Sequence, residues 1–405
     1  MADILRGLDT LMTTLGITSN SRYDGYWEAN MRPLENQNLN IAGFEWDIPQ
    51  VSFDYSILEA KDKVSAMATY VSISSEPVAV GADAALRKLT GTVPRQKHLV
   101  RITEEDLRNK VNDLNDIVAT ADFMTTNRSV ALRDYLEDFL FDTQADIAER
   151  HKNSLNFAVG QVKSLASLEI TTANNPRGIA GVKFSMHVPS ANVKKTPYFT
   201  GSIAEGTLAE IEGKDPLSDL ANEVFKLRYN SYGSIVLEMD ETFAHYFVRH
   251  SKVLPKLGYV INPALRVAYN DDKQAGAVAG QSSDEALYNA LRQYLNVDAV
   301  LVSPTFVEVD KYNKISGSMV NTRLRAFNPG TILLRPSGII GKIKNVAPIR
   351  PDESNVVSTG IFDRHGIVEY RYDAKAKTQE WVSELTTLPV LTRPKDMRYF
   401  ECIGG

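Results

Sequence analysis

Cysteine is nearly missing from this 405-residue chain: Cys402 stands alone. That excludes an intramolecular disulfide and any zinc site built on a cysteine cluster, and it suits a reducing cytoplasm. No apolar run approaches the roughly 18 residues of a helical membrane span, so no membrane partner is expected. The first residues lack a basic region followed by an apolar stretch, so no secretory signal is expected either. An excess of one charge is also lacking. With 45 Lys and Arg against 50 Asp and Glu, the formal net charge is −5, which argues against a dedicated nucleic-acid binder.

The constellations that carry chemistry are missing too. There is no Gly-x-Ser-x-Gly and no Gly-x-Gly-x-x-Gly. The histidines (His98, His151, His187, His245, His250 and His365) are scattered. His245 and His250 are five apart, where a helical metal pair needs four, and no acid between them is placed as in a zinc protease. Gly338-Ile339-Ile340-Gly341-Lys342 has the wrong spacing for a phosphate loop and no hydroxyl after the lysine; it reads as a glycine turn between strands. Asp271-Asp272 lacks the alternating acids and glycine of a calcium loop. Cys402 falls on a predicted strand and reads as buried. Glu104-Glu105 and Asp240-Glu241 are helix starts, where negative charge suits the dipole. No catalytic residue, metal or cofactor is assigned, and no enzyme is expected.

What the chain does have is length in one helix. From about residue 127 to 168, Leu132, Leu136, Phe139, Thr143, Ile147, His151, Leu155, Ala158, Val162 and Leu165 recur at steps of three and four. Asp134, Glu137, Asp138, Asp146, Glu149 and Lys152 fall mostly on the other side. At about 1.5 Å per residue the pattern predicts a rod of roughly 60 Å. Asn127 or Ser129 caps its start, and Asn174-Asn175-Pro176 and Gly178 stop the chain after it. Such a rod cannot hide in one core, so it reads as a spine with other elements laid along it.

Around the spine, residues 1–20 form a short amphipathic piece and 20–43 an extended arm. Phe44–Ile57 alternates with period two, as strands do. Residues 58–102 are rich in small and basic residues; Met67–Ile73 and Leu99–Ile102 are expected to pair as a long ribbon, marginal by itself in water. Thr103–Asp106 makes a capping box. Residues 229–340 read as a separate α/β unit: strand Ile235–Met239, a helix capped by Asp240 and broken at Pro255 and Gly258, a helix opened by Ser282 and Glu285, then buried strands Ala299–Val302 and Thr331–Leu334. The tail returns to antiparallel strands, with Trp381 pointing inward and a last strand at Met397–Ile403.

This order of parts resembles the Hong Kong 97-type fold of tailed double-stranded DNA bacteriophage major capsid proteins, in its lambda-type branch. The residues that carry the resemblance are Gly91-Thr92-Val93-Pro94-Arg95 at the end of the extended loop and Ser234–Met239 followed by Asp240–Leu257, similar to a strand and long helix. Asn328-Pro329-Gly330-Thr331-Ile332-Leu333-Leu334 and Gln379–Leu391 followed by Pro394-Lys395-Asp396 complete them. The resemblance implies an α+β chain with an N-terminal arm (1–45), an extended β-ribbon loop and flanking strands (46–115), and a peripheral β-sheet domain with the spine helix (116–215). An axial α/β domain (216–345) and a return to the peripheral domain (346–405) follow. It further implies self-assembly into hexamers and pentamers of an icosahedral head, assembled in the bacterial host cytoplasm. Its implied partners are a separate scaffold protein, a portal, decoration proteins and non-specific contact with packaged DNA.

Some relatives cross-link loop lysines to a neighbour's asparagine. Lys88 and Lys97 lie in the corresponding loop, but no partner asparagine or acid is assigned, and they read as surface lysines. The expected contact is electrostatic: Arg87, Lys88, Arg95 and Lys97 of one subunit against Asp134, Glu137 and Asp138 on the next subunit's spine. Alternatives are an encapsulin-type compartment, or a two-domain enzyme with a small-molecule site in the α/β unit.

Overall fold

The computed structural model describes residues 43–58, 88–102, 105, 149–175, 180–229, 233–265, 272–312, 319–347, 356–362, 366–373 and 378–404. In chain order the first strands are β1 (Phe44–Trp46), β2 (Asp54–Leu58), β3 (Lys88–Thr92), β4 (Arg95–Ile102), β5 (Ser167–Ile170), β6 (Val182–Ser185), β7 (Val193–Thr200) and β8 (Ala209–Glu210). Then come β9 (Ile235–Asp240), β10 (Ala299–Ser303), β11 (Phe306–Tyr312), β12 (Met319–Arg325) and β13 (Thr331–Pro336). The last are β14 (Gly341–Asn345), β15 (Val356–Phe362), β16 (Gly366–Asp373), β17 (Thr378–Leu391) and β18 (Arg398–Gly404). The helices are α1 (149–165), α2 (Pro216–Tyr229), α3 (Glu241–Val248), α4 (Leu254–Ile261), α5 (Asp272–Gly280) and α6 (Asp284–Leu295).

The strands form two larger sheets and three separate two-stranded ribbons. One sheet runs β10-β9-β13-β18-β7-β8; the other runs β1-β14-β17-β16-β15, with β4 also pairing β17. In the first, β9 and β13 are buried at all six positions, which requires cover on both faces. Phe243, Phe247 and Leu291 from the helices meet Leu237, Ile332 and Phe400 from the strands on one side. In the second, β14 alternates between buried and half-buried residues, as a sheet with one face in a core does.

Helix α1 is the floor of both. Its Ala158 and Val162 pack with Leu333, Leu388, Val390 and Tyr399, and its Leu155 and Val159 with Ile343. The expectation of a spine with elements laid along it therefore holds for 149–165; the earlier part, 127–148, lies outside the described residues. Polar contacts fix the helix at both sheets. His151 Nε2 lies 2.8 Å from Ser383 Oγ on β17, and Lys163 Nζ lies 3.2 Å from Glu238 Oε2 on β9. At Gly160 the backbones nearly touch, since a Cβ there would fall 2.3 Å from the Ala326 carbonyl oxygen.

Several expectations need correction. The spine ends at residue 165, because Ala166 takes a left-handed conformation (φ 54) and β5 begins at once. Leu165 is 40% exposed and so leaves the buried stripe. Asn174 does not stop the helix; its side chain accepts from Thr171 N–H and donates to the Glu169 carbonyl in the β5–β6 turn. Leu99–Ile102 pairs with β17 in its own chain, while the expected partner, Met67–Ile73, lies outside the described residues. Pro255 opens α4 instead of breaking a helix, and buried Gly258 lets α4 cross α5 closely, a Cβ there falling 2.1 Å from the Ala275 carbonyl oxygen. Residues 240–257 are accordingly two helices, not one. Ser283, not Ser282, caps α6 by accepting from Ala286 N–H. The α/β sheet also draws β7, β8 and β18 from outside 216–345, and β14, inside that range, belongs to the other sheet.

Other readings stand. Asp240 caps α3, accepting from the N–H groups of Thr242 and Phe243 at 2.9 and 3.2 Å. Trp381 and Cys402 are buried, at 1% and 0% exposure. Gly338 (φ 86) makes the turn into β14, where Gly341 packs against the ring of Phe44, so this stretch is a turn and strand, not a phosphate loop.

Candidate inter-subunit surfaces

Two of the basic residues expected at an interface, Arg95 and Lys97, sit on β4, and the register decides what they meet. Lys97 lies opposite Glu384 and Arg101 opposite Glu380 on β17. Arg95 holds Glu384 with two guanidinium N–H groups, Lys97 reaches the same carboxylate at 3.5 Å, and Arg101 reaches Glu380 at 2.6 Å. This basic row is thus paired within its own sheet. The cations remain about half exposed, Arg95 at 50% and Lys97 at 54%, so their outer sides still face solvent. Lys88 begins β3, while Arg87, Asp134, Glu137 and Asp138 lie outside the described residues.

Exposed apolar residues were missed by the period-two reading of 44–57. Ile48 is 85% exposed, Val51 82% and Phe53 45%. The alternation fails because the chain turns here: Gln50 donates to the carbonyls of Ser52 and Asp54, and Ser52 Oγ accepts from Asp54 N–H. Only at β2 does a strand resume, forming a ribbon with β3. That ribbon is rooted by buried Tyr55 and Val93, and Gly91 leaves room for the Tyr55 ring.

A second exposed set lies on α2. Its buried stripe is Leu217, Leu220, Val224 and Leu227, and the opposite face carries Phe225 at 70% exposure and Tyr229 at 83%, one turn apart. The signal was present in the sequence, because both aromatics fall off the apolar stripe. At one end of the α/β sheet, the β10 edge reads Ala-Val-Leu-Val-Ser, with no charge or proline to discourage another strand. The ribbon β11–β12 leaves the sheet just after β10. Arg325 fixes its root, reaching Asp240 Oδ2 at 3.2 Å and stacking 3.8 Å over the ring of Phe306.

Among the described residues, Cys402 is buried and His245 and Arg249 are engaged with Asp284. Burial pushes the Cys402 thiol well up, away from the thiolate a nucleophile needs. His245 Nδ1 lies 2.6 Å from Asp284 Oδ2, and Arg249 reaches the same carboxylate at 2.7 Å. Burial raises the pKa of Asp284, but those two hydrogen bonds outweigh it and hold the group below its ordinary range. Burial pushes Tyr288 up to about 12. Among the described residues no three His, Cys, Asp or Glu side chains cluster as metal ligands, and no helix is long and apolar enough to cross a membrane.

No protein-family profile and no curated protein matches the sequence. Solved structures do. A phage-related protein from Bordetella bronchiseptica RB50 is 11% identical with a TM-score of 0.40, over 93% of this chain and 96% of that one. The satellite phage P4 procapsid, solved with its size determination protein, is 9% identical with a TM-score of 0.42, over 93% and 98%. The mature capsid of bacteriophage PhiM1 is 9% identical with a TM-score of 0.39, over 91% and 88%. These values are low, and the weight of a functional reading falls on the chain's own residues.

Proposed function

We propose that this chain is a structural shell subunit, a major capsid protein of the Hong Kong 97-type α+β fold, and that copies of it tile a closed head around double-stranded DNA. The observation that carries the reading is the ribbon β2–β3, rooted at Tyr55 and Val93, with Ile48, Val51 and Phe53 exposed beside the root. A two-stranded ribbon is marginal alone, and neighbouring exposed apolar side chains mark a protein contact. Identical copies supply both needs, since each brings the surface that another lacks. The exposed pair Phe225 and Tyr229 and the uncharged edge of β10 add contacts of the same kind.

The electrostatic part of the assembly is modest. Arg95, Lys97 and Arg101 already have carboxylate partners, so a neighbour's acids, Asp134, Glu137 and Asp138 among them, would meet half-exposed cations. Such pairs are worth about 0–1 kcal/mol each, so affinity comes from apolar burial repeated over many copies. A scaffold, a portal and decoration proteins are the partners such a shell would take, and the virion capsid its location.

Negative-stain microscopy and sedimentation of the full chain test this. Closed shells are expected. A stable monomer at assembly concentrations, with Ile48, Val51 and Phe53 left in water, would overturn it. Deleting 62–85, which spares β2 and β3, should leave folded subunits that no longer close. The triple change Ile48→Ser, Val51→Ser and Phe53→Ser should do the same; normal shells from both variants count against the reading.

A further inference from the structure

Between α3 and α4 the chain turns around a buried imidazole. His250 follows the C-terminal cap of α3 and is 1% exposed. Its backbone is held on both sides: its N–H donates to the Phe247 carbonyl, and its carbonyl accepts from Val253 and Leu254. The ring stands edge-on to Phe199 of β7, with centroids 5.2 Å apart. Nδ1 accepts from the Lys252 N–H at 3.1 Å, which fixes the tautomer, so the ring proton is on Nε2. That Nε2–H is buried and has no hydrogen bond among the described residues. Folded proteins rarely keep an orphaned buried donor, and each one calls for a reason.

The donor faces Glu210. Glu210 Oε2 lies 3.9 Å from Nε2, too far for a hydrogen bond, and Oε1 accepts from the Ser251 N–H at 2.9 Å. Glu210 ends β8, the outermost strand at its side of the sheet, which pairs with β7 at two positions only. One carboxylate therefore ties that short edge strand to the α3–α4 turn. The other charges acting on the ring are Asp215, just before α2, and Lys252, in the turn itself. Asp215 is in turn held by Lys256 of α4 and by Ser218.

With Nε2 already protonated, a second proton can enter only at Nδ1. There it would set one N–H against another, that of Lys252, where an acceptor now stands. The turn cannot keep its shape around the imidazolium, even though Glu210 attracts the charge. We propose that His250 and Glu210 form an acid-operated latch between β8 and the α3–α4 turn, closed over the neutral ring and opened when the ring takes its second proton. The strands β9 and β13 stay in place when it opens. Burial holds the ring below its ordinary value in the closed turn, with Glu210 and Asp215 opposing that and Lys252 adding to it. The open turn, with the ring in water, accepts the proton near pH 6.5, so falling pH favours the open form.

Amide hydrogen exchange of the full chain, read by mass spectrometry and corrected for the chemical exchange rate at each pH, tests the latch. Between about pH 7.5 and 5, opening of residues 206–212 and 249–254 should rise by up to about 30-fold, the gain for a group near pKa 6.5 that binds its proton in the open form alone. Exchange in β9 and β13 should not follow. His250→Asn keeps a side-chain acceptor for the Lys252 N–H and has no proton to gain, so it should remove the rise. Equal opening at the two pH values overturns the proposal, as does a rise that β9 and β13 share. Both of those outcomes need only the unaltered chain. A rise that persists in His250→Asn overturns it as well.

Discussion

The two larger sheets solve the same problem with different chemistry. In the α/β sheet, β9 and β13 are buried throughout, and the ionic group they carry, Glu238 with Arg335 and Lys163, lies in the interior. In the other sheet the ion pairs stand in a row at the surface, Arg95, Lys97 and Arg101 against Glu384 and Glu380. The first arrangement completes a core within one chain. The second leaves cations half exposed along β4, close to the exposed residues 48–53. Self-sufficiency and readiness for contact are thus divided between two regions that share one helix.

Substitutions should break that contrast unequally. Glu238→Ala leaves two buried cations facing each other and is expected to cost about 3–5 kcal/mol. Leu333→Ala, at the packing of β13 on α1, should cost about 2–5 kcal/mol. Urea unfolding followed by circular dichroism measures both. Trp46 and Trp381 both lie in the second sheet, so in a Trp27→Phe background their fluorescence reads that region separately. Gly160→Ala drives a methyl into the Ala326 carbonyl; overpacking of about 1–3 kcal/mol should exceed the gain of about 1 kcal/mol in helix propensity. A stabilised Gly160→Ala protein would mean that the helix does not meet residue 326 as described.

Acid should reach the α/β unit first. His250 is 1% exposed, its ring edge-on to Phe199, and burial lowers its pKa against the opposing pull of Glu210. Below its ordinary value near 6.5 the unfolded chain takes up a proton that the folded chain resists. Stability is therefore complete above about pH 6.5 and falls as pH drops through it, by at most about 1.4 kcal/mol per pH unit. His250→Gln should flatten the slope below about pH 6.5, measured as urea midpoints by circular dichroism. Asp215 and Asp284, whose pKa values are lowered, add a separate loss only below about pH 4. The smallest effect is expected at the surface row, where Glu384→Ala should cost no more than about 1 kcal/mol and barely move the tryptophan midpoint. A loss comparable to that of Glu238→Ala would erase the contrast between the sheets.

What could be read in advance follows from how local the signal is. The Asp240 cap, the apolar strands β9 and β13, buried Trp381 and buried Cys402 all announce themselves within a few residues. The choice of Ser283 over its neighbour Ser282 turns on a single hydrogen bond, to Ala286 N–H. Pairings across long stretches left no such trace: β18 beside β13, β4 beside β17, and the meeting of Lys163, Glu238 and Arg335. Of the expected contact residues, Arg95 and Lys97 were readable as exposed cations. Their carboxylate, Glu384, was not, because it lies on a strand nearly three hundred residues along the chain. The exposure of Ile48, Val51 and Phe53 was hidden by a turn that Gln50 builds from its own side chain.

Strand β18 lies between β13 and β7, yet residues 337–397, which contain β14, β15, β16 and β17, intervene between it and β13. The ribosome must therefore deliver almost all of the surface sheet before the interior one can close. Contacts so distant in sequence form late and slowly. A nascent chain therefore leaves β13 without its neighbour β18 until that excursion is finished.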